Sequence, residues 1–136
     1  MSPEQSLPPP LEAPSPGPST MPGIVLAAAI LWMAFGALDV MMLLMVAGNK
    51  VVPVLLGAGF IAAGVGTVSG KTPQIYALGV ISIIFGAVGE LAGLQHLLHS
   101  NAGLILVVLY ATPIVAGVLA LVGRDRYVSW RARTNR

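Results

Sequence analysis

Two carboxylic acids stand inside sequence that is otherwise apolar, Asp39 and Glu90. An ionisable side chain at membrane depth costs about 3 kcal/mol or more, so it marks a functional hypothesis by default. No Lys or Arg lies in the same apolar runs to pair with either acid. Low dielectric favours the neutral form of a carboxyl, and two such groups held together can share one proton. The chemistry available is therefore uptake and release of a proton, or binding of a cation. The other reading is structural: protonated acids that hydrogen-bond between helices, or acids near enough to the outer surface to stay wet.

The remaining chemical candidates are weaker. His96 and His99 are three residues apart and project to similar sides of a helix. Glu90 is six and nine residues away and points elsewhere, so the three do not converge on a metal, and both histidines read as interfacial. The segment Gly64 to Thr72, GVGTVSGKT, resembles a phosphate-binding loop, but the required first glycine falls on Val65 and Pro73 follows directly. Gly57-Ala58-Gly59 imitates a dinucleotide fingerprint inside an uncharged run, with no acid about twenty residues later. Cysteine is absent, which excludes disulfides and thiolate sites. No nucleophile–base pair stands out. The sequence points to no enzyme, no cofactor and no metal.

These residues must be positioned by helices in lipid. The chain is 56% hydrophobic and 9% charged, against about 25% charged in soluble domains. Four apolar runs, Ile24–Ala47, Val51–Ser69, Ile75–Leu98 and Ala102–Gly123, are each long enough to cross a hydrocarbon core of roughly 30 Å at 1.5 Å per residue. Their connections are short, which requires antiparallel neighbours. The expected fold is an all-α integral membrane protein: a four-helix antiparallel bundle over residues 23–123. Residues 1–22 hold eight of the eleven prolines and no Lys or Arg, so they read as a disordered tail. That segment lacks the basic start of a secretory signal, and no cleavage is expected.

Within the runs, small residues form stripes. Gly79, Ser82, Gly86, Gly89 and Gly93 step by three and four along the third run, with Glu90 beside them. Gly59, Ala63, Gly66 and Gly70 do the same on the second, and Ala116, Ala120 and Gly123 on the fourth. Such stripes let backbones approach in lipid, inside one bundle or between subunits. Pro113 should kink the fourth helix. Residues 124–136 mix arginines with aromatic rings, and Arg124, Arg126, Tyr127, Trp130 and Arg131 read as an anchor at the headgroup boundary rather than a nucleic-acid surface.

The chain also repeats itself. Phe35-Gly36-Ala37 recurs as Phe85-Gly86-Ala87, fifty residues on. Ala63-Gly64-Val65 recurs as Ala116-Gly117-Val118, fifty-three residues on. A duplication would give two tandem hairpins related by an axis along the membrane normal; coincidence in a Gly/Ala-rich chain is the alternative. Composition, rich in Ala, Gly, Val and Pro with Arg preferred to Lys, hints at a high-GC bacterium and hence its inner membrane.

Three functions follow. The first is a non-catalytic membrane module acting by helix packing, as a homo-oligomer or with a membrane-protein partner. The second is transport of a proton, ion or small solute through Asp39 and Glu90. An intramembrane enzyme is the third and has no constellation behind it. Six of the seven basic residues fall on the side holding both termini, so the positive-inside rule puts both termini in the cytoplasm. Single cysteines introduced into this cysteine-free chain test that directly. A cysteine at Asn49 should react with an impermeant thiol reagent from outside, and one at Ser129 should not; the reverse overturns the orientation.

Overall fold

The computed structural model describes residues 20–45, 51–100 and 102–134. The Pro-rich expectation for the N-terminal tail falls almost wholly outside them. Four helices follow in order: α1 (Gly23–Met45), α2 (Val51–Val68), α3 (Ile75–Leu97) and α4 (Ala102–Thr134). Strands are absent among the described residues. α1, α3 and α4 are long and apolar enough to cross a membrane. α2, with 18 residues, covers about 27 Å at 1.5 Å per residue, slightly under the ~30 Å of a typical core. Large apolar side chains cover the outside, with Leu91 65% and Val122 68% exposed. A surface of that kind belongs in lipid rather than water.

Two boundaries differ from the sequence expectation. α2 stops at Val68 because Gly70 adopts a positive φ of 68°. The Gly70 amide then donates to the Thr67 carbonyl and the Lys71 amide to the Gly66 carbonyl, the paired bonds that close a helix on a left-handed glycine. α4 does not stop at Gly123. It continues unbroken through Pro113 and on to Thr134, because its last three turns bury Tyr127 and Trp130 against the bundle.

α1 packs along both α2 and α4, and α3 packs along α4. The hairpins are held by backbone approach at glycine. A methyl group built on Gly36 would lie 3.0 Å from the Ile61 backbone nitrogen, and one on Gly86 would lie 3.1 Å from that of Ile114. On Gly64 it would lie 2.7 Å from the Ala29 carbonyl oxygen, and on Gly117, 2.6 Å from that of Gly79. Each contact in α1–α2 thus has a counterpart in α3–α4, fifty residues on in the first helix and fifty-three on in the second. Between the hairpins, residues fifty apart touch each other. Trp32 bonds Ser82, and the Phe35 and Phe85 rings meet at 6.0 Å.

A leucine at a seam glycine must separate two backbones. Gly86→Leu or Gly89→Leu should lower stability in detergent by about 1–3 kcal/mol or more, the usual cost of overpacking. Leu97→Ala, at a position already 40% exposed, should cost much less. Thermal unfolding followed by circular dichroism reads the difference, and equal tolerance at all three sites would mean the α3–α4 seam does not form.

Candidate functional site

The interior is organised in layers along the helix axes. At the centre, each helix contributes one ring: Phe35, Phe60, Phe85 and Tyr110. Phe35 touches all three others, with centroids 5.0, 6.0 and 5.9 Å away, and tilted or edge-on geometry throughout. The Phe60 and Phe85 rings meet at 5.3 Å, and Phe85 and Tyr110 at 5.8 Å. Such pairs are worth about 0.5–1.5 kcal/mol each beyond their burial. The four rings fill the middle of the bundle.

One turn towards the N-terminus of α1 lies a polar chain. Trp32 Nε1–H donates to Ser82 Oγ at 2.9 Å, and the Ser82 hydroxyl donates to the Pro113 carbonyl oxygen at 2.6 Å. It ties α1 to α3 and α3 to α4, and satisfies both buried side chains in surroundings with no water to do so.

On the other side of the rings sits Asp39, only 9% exposed. Its Oδ2 lies over Gly57 of α2, 3.2 Å from where a β-carbon would stand. Asp39 is therefore buried in the α1–α2 seam. Glu90, one position beyond Gly89, is half-buried. Neither a hydrogen bond nor an ion pair joins it to Asp39 among the described residues. Nothing in the described contacts makes the two acids a pair.

The α3 stripe, with Gly79, Ser82, Gly86, Gly89 and Gly93, is buried along its length. Gly79 faces Leu121, Gly86 faces Ile114, Gly89 lies under the Tyr110 ring and Gly93 faces Val107. All of this faces α4 of the same chain. The α2 stripe is placed differently. Gly59 has no atom within 4 Å of an added methyl, and Gly66 meets only Thr72 Oγ1. Gly59 and Ala63 instead line an apolar crevice of about 230 Å³ between α2 and α3, with Trp32 at its floor and Leu55, Phe60, Leu78 and Ile81 on its walls. The glycines that pack α2 on α1 are Gly57 and Gly64, seven residues apart. Sequence reading passed over them because each sat inside an imitation of a nucleotide motif; their seven-residue step was the available signal.

The basic C-terminal residues divide into two roles. Tyr127 is 1% and Trp130 8% exposed. The Tyr127 hydroxyl is shared between the carbonyl oxygens of Thr72 at 3.2 Å and Thr67 at 3.4 Å, and Arg131 Nε donates to the Gly70 carbonyl at 2.9 Å. The Trp130 ring covers Gly70. Together they cap the carbonyl end of α2, where orphan acceptors and the helix dipole both favour a cation. Arg124 stacks over the Tyr76 ring of α3 at 5.2 Å. Tyr127 and Trp130 thus turn inward, where their rings cover apolar bundle surface and the loop between α2 and α3. The histidines are exposed, with His99 Nδ1 3.0 Å from the Gln95 carbonyl oxygen. Among the described residues no three His, Asp or Glu side chains gather closely enough to hold a metal ion.

No family of known proteins matches the chain, and neither a curated protein nor a solved structure shows significant similarity to it.

The unequal surroundings of the two acids give an asymmetric expectation. Asp39→Asn keeps size and polarity and should leave thermal unfolding within about 0.5 kcal/mol of the parent. Asp39→Leu forces branched carbons against the α1–α2 seam and should cost about 1–3 kcal/mol. Glu90→Gln and Glu90→Leu should both be nearly silent. Unfolding midpoints in one detergent check this, and a Glu90→Leu loss equal to that of Asp39→Leu would contradict it.

Proposed function

We propose that the chain is a non-catalytic, multi-pass membrane module that works by helix packing and assembles with further copies of itself. On this reading it is a tandem pair of helical hairpins crossing the inner membrane of a bacterium four times, with both termini in the cytoplasm. Matching contacts at offsets of fifty and fifty-three support the duplication. So do Trp32–Ser82 and Phe35–Phe85, since a residue that touches its own counterpart lies on the axis relating the halves.

The observation that carries the assembly is the crevice between α2 and α3. A full two-fold relation would close α2 on α3 as α1 is closed on α4. Instead α2 and α3 do not pack along their lengths, and the crevice there presents Leu55, Leu56, Gly59, Phe60 and Ile81. Gly59 has open space in front of it, which is what a second helix needs to come close in lipid.

A second reading, transport of a proton, ion or small solute, draws on the burial of Asp39 in the α1–α2 seam. The ring layer obstructs a path through one chain, so such a route would run between copies. Glu90, half-buried, would belong to that outer route rather than to a shared site with Asp39.

Gly59→Leu is the test. The space at this position should let a single chain fold normally, with unchanged helicity and unfolding midpoint. Molecular mass in lipid nanodiscs, measured by light scattering, should fall from a multiple of the parent chain mass to that of one chain. A parent that is already a monomer, or an assembly unaffected by Gly59→Leu, removes this reading. Transport would instead appear as proton or cation flux in liposomes that Asp39→Asn abolishes while assembly persists.

A further inference from the structure

A basic cavity lies at the end of the bundle that carries the arginines, between the start of α1 and the last turns of α4. Its volume is about 430 Å³, within the usual range for small-ligand sites, and its lining includes Thr20, Gly23, Arg126, Ser129, Trp130 and Arg133. Among the described residues, no acidic side chain contributes to the wall. Of the four arginines described at this end, two are engaged elsewhere: Arg124 on the Tyr76 ring and Arg131 on the Gly70 carbonyl. Among the described residues, no hydrogen bond or ion pair holds the guanidinium group of Arg126 or Arg133, the Arg126 carbonyl oxygen alone accepting from the Ser129 hydroxyl. Two guanidinium groups without a partner among the described residues therefore border one cavity, and both present planar donor forks suited to phosphate oxygens.

Depth selects the ligand. Gly123 of α4 packs against Ile24 and Val25 at the start of α1, so this level marks the inner edge of the apolar spans. Arg126 stands about 4.5 Å beyond Gly123 and Arg133 about 15 Å beyond, at 1.5 Å per residue. A headgroup layer is roughly 5–8 Å thick on each side of the hydrocarbon core. The Arg126 side of the cavity thus lies at the depth of lipid phosphates, and the Arg133 side lies beyond the headgroup layer, from which its long side chain approaches the phosphoryl group from the water. The amide end of α1 adds potential of the same sign, but the guanidinium groups supply the charge.

We infer that this cavity is a binding site for the phosphoryl headgroup of an anionic phospholipid, held by Arg126 and Arg133. It is distinct from a general basic fringe, because Lys71 and Arg124 carry equal charge at the same end of the bundle and do not line it. The site asks nothing of the oligomeric state and stands or falls separately from the assembly at the α2–α3 crevice.

The purified full chain, incubated in detergent with phosphatidylglycerol or phosphatidylcholine, would be read by native mass spectrometry for retained lipid. The parent should keep phosphatidylglycerol in preference to phosphatidylcholine. Arg126→Gln and Arg133→Gln should each weaken that retention roughly tenfold, as loss of a charged hydrogen bond does, and the double variant should abolish the preference. Lys71→Gln with Arg124→Gln removes the same charge and should leave retention intact. Equal loss in both double variants would overturn the site in favour of diffuse attraction. Displacement of the lipid by inorganic phosphate at comparable concentration would overturn the lipid assignment and leave a site for free anions. All four residues are outside the packed core, and circular dichroism on each variant confirms that retention is read on folded protein.

Discussion

Backbone approach at glycine is the constraint on which the rest of this molecule depends. In lipid the hydrophobic effect does not press helices together, so attraction must come from close van der Waals contact and from polar groups with nowhere else to bond. Gly36, Gly64, Gly86 and Gly117 provide that contact in two hairpins of nearly identical geometry, with backbone atoms of the partner helix where a β-carbon would stand. At that spacing the larger side chains on either flank interlock. The rings of Phe60, Phe85 and Tyr110 each come within 6.0 Å of Phe35 only because the backbones beside them are already close. The Trp32–Ser82–Pro113 chain likewise requires that α1, α3 and α4 approach at one level.

The aromatic layer also orders the chemistry. It separates the end of the bundle that carries Asp39 from the end that carries Tyr127 and the arginines. A polar route along the bundle axis through a single copy meets four packed rings. Asp39 then reads as an acid held in the α1–α2 seam, over Gly57. Glu90 has no such enclosure. Two residues that look alike in sequence therefore have separate physical roles.

At the end of the bundle that carries the arginines, α4 does more than continue past its apolar stretch. Its extension returns Tyr127, Trp130 and Arg131 onto the turn after α2. That turn exposes carbonyl groups which no further helical turn satisfies. A guanidinium and a hydroxyl donated from a distant part of the chain satisfy them and fix the end of α2 to α4. The fastening matters more because α2 lacks close backbone packing with α3.

What the sequence determined alone is whatever a single helix expresses. Apolar composition over twenty residues gives helices in lipid, because backbone groups there must bond internally. The small-residue stripe of α3 was legible because its steps of three and four are a property of one helix, and the structure buries all five positions. The Phe-Gly-Ala and Ala-Gly-Val repeats were legible as strings, and their offsets recur in the contacts. Which face of α2 turns inward was not legible. Gly57 and Gly64 pack on α1 while Gly59 faces open space, and lipid-facing and helix-facing surfaces are equally apolar, so no polarity pattern separates them. The inward turn of Tyr127 and Trp130, the separation of Asp39 from Glu90 and the open crevice between α2 and α3 were likewise decided by tertiary structure. Each depends on where a second helix lies, and a one-dimensional period carries no record of that.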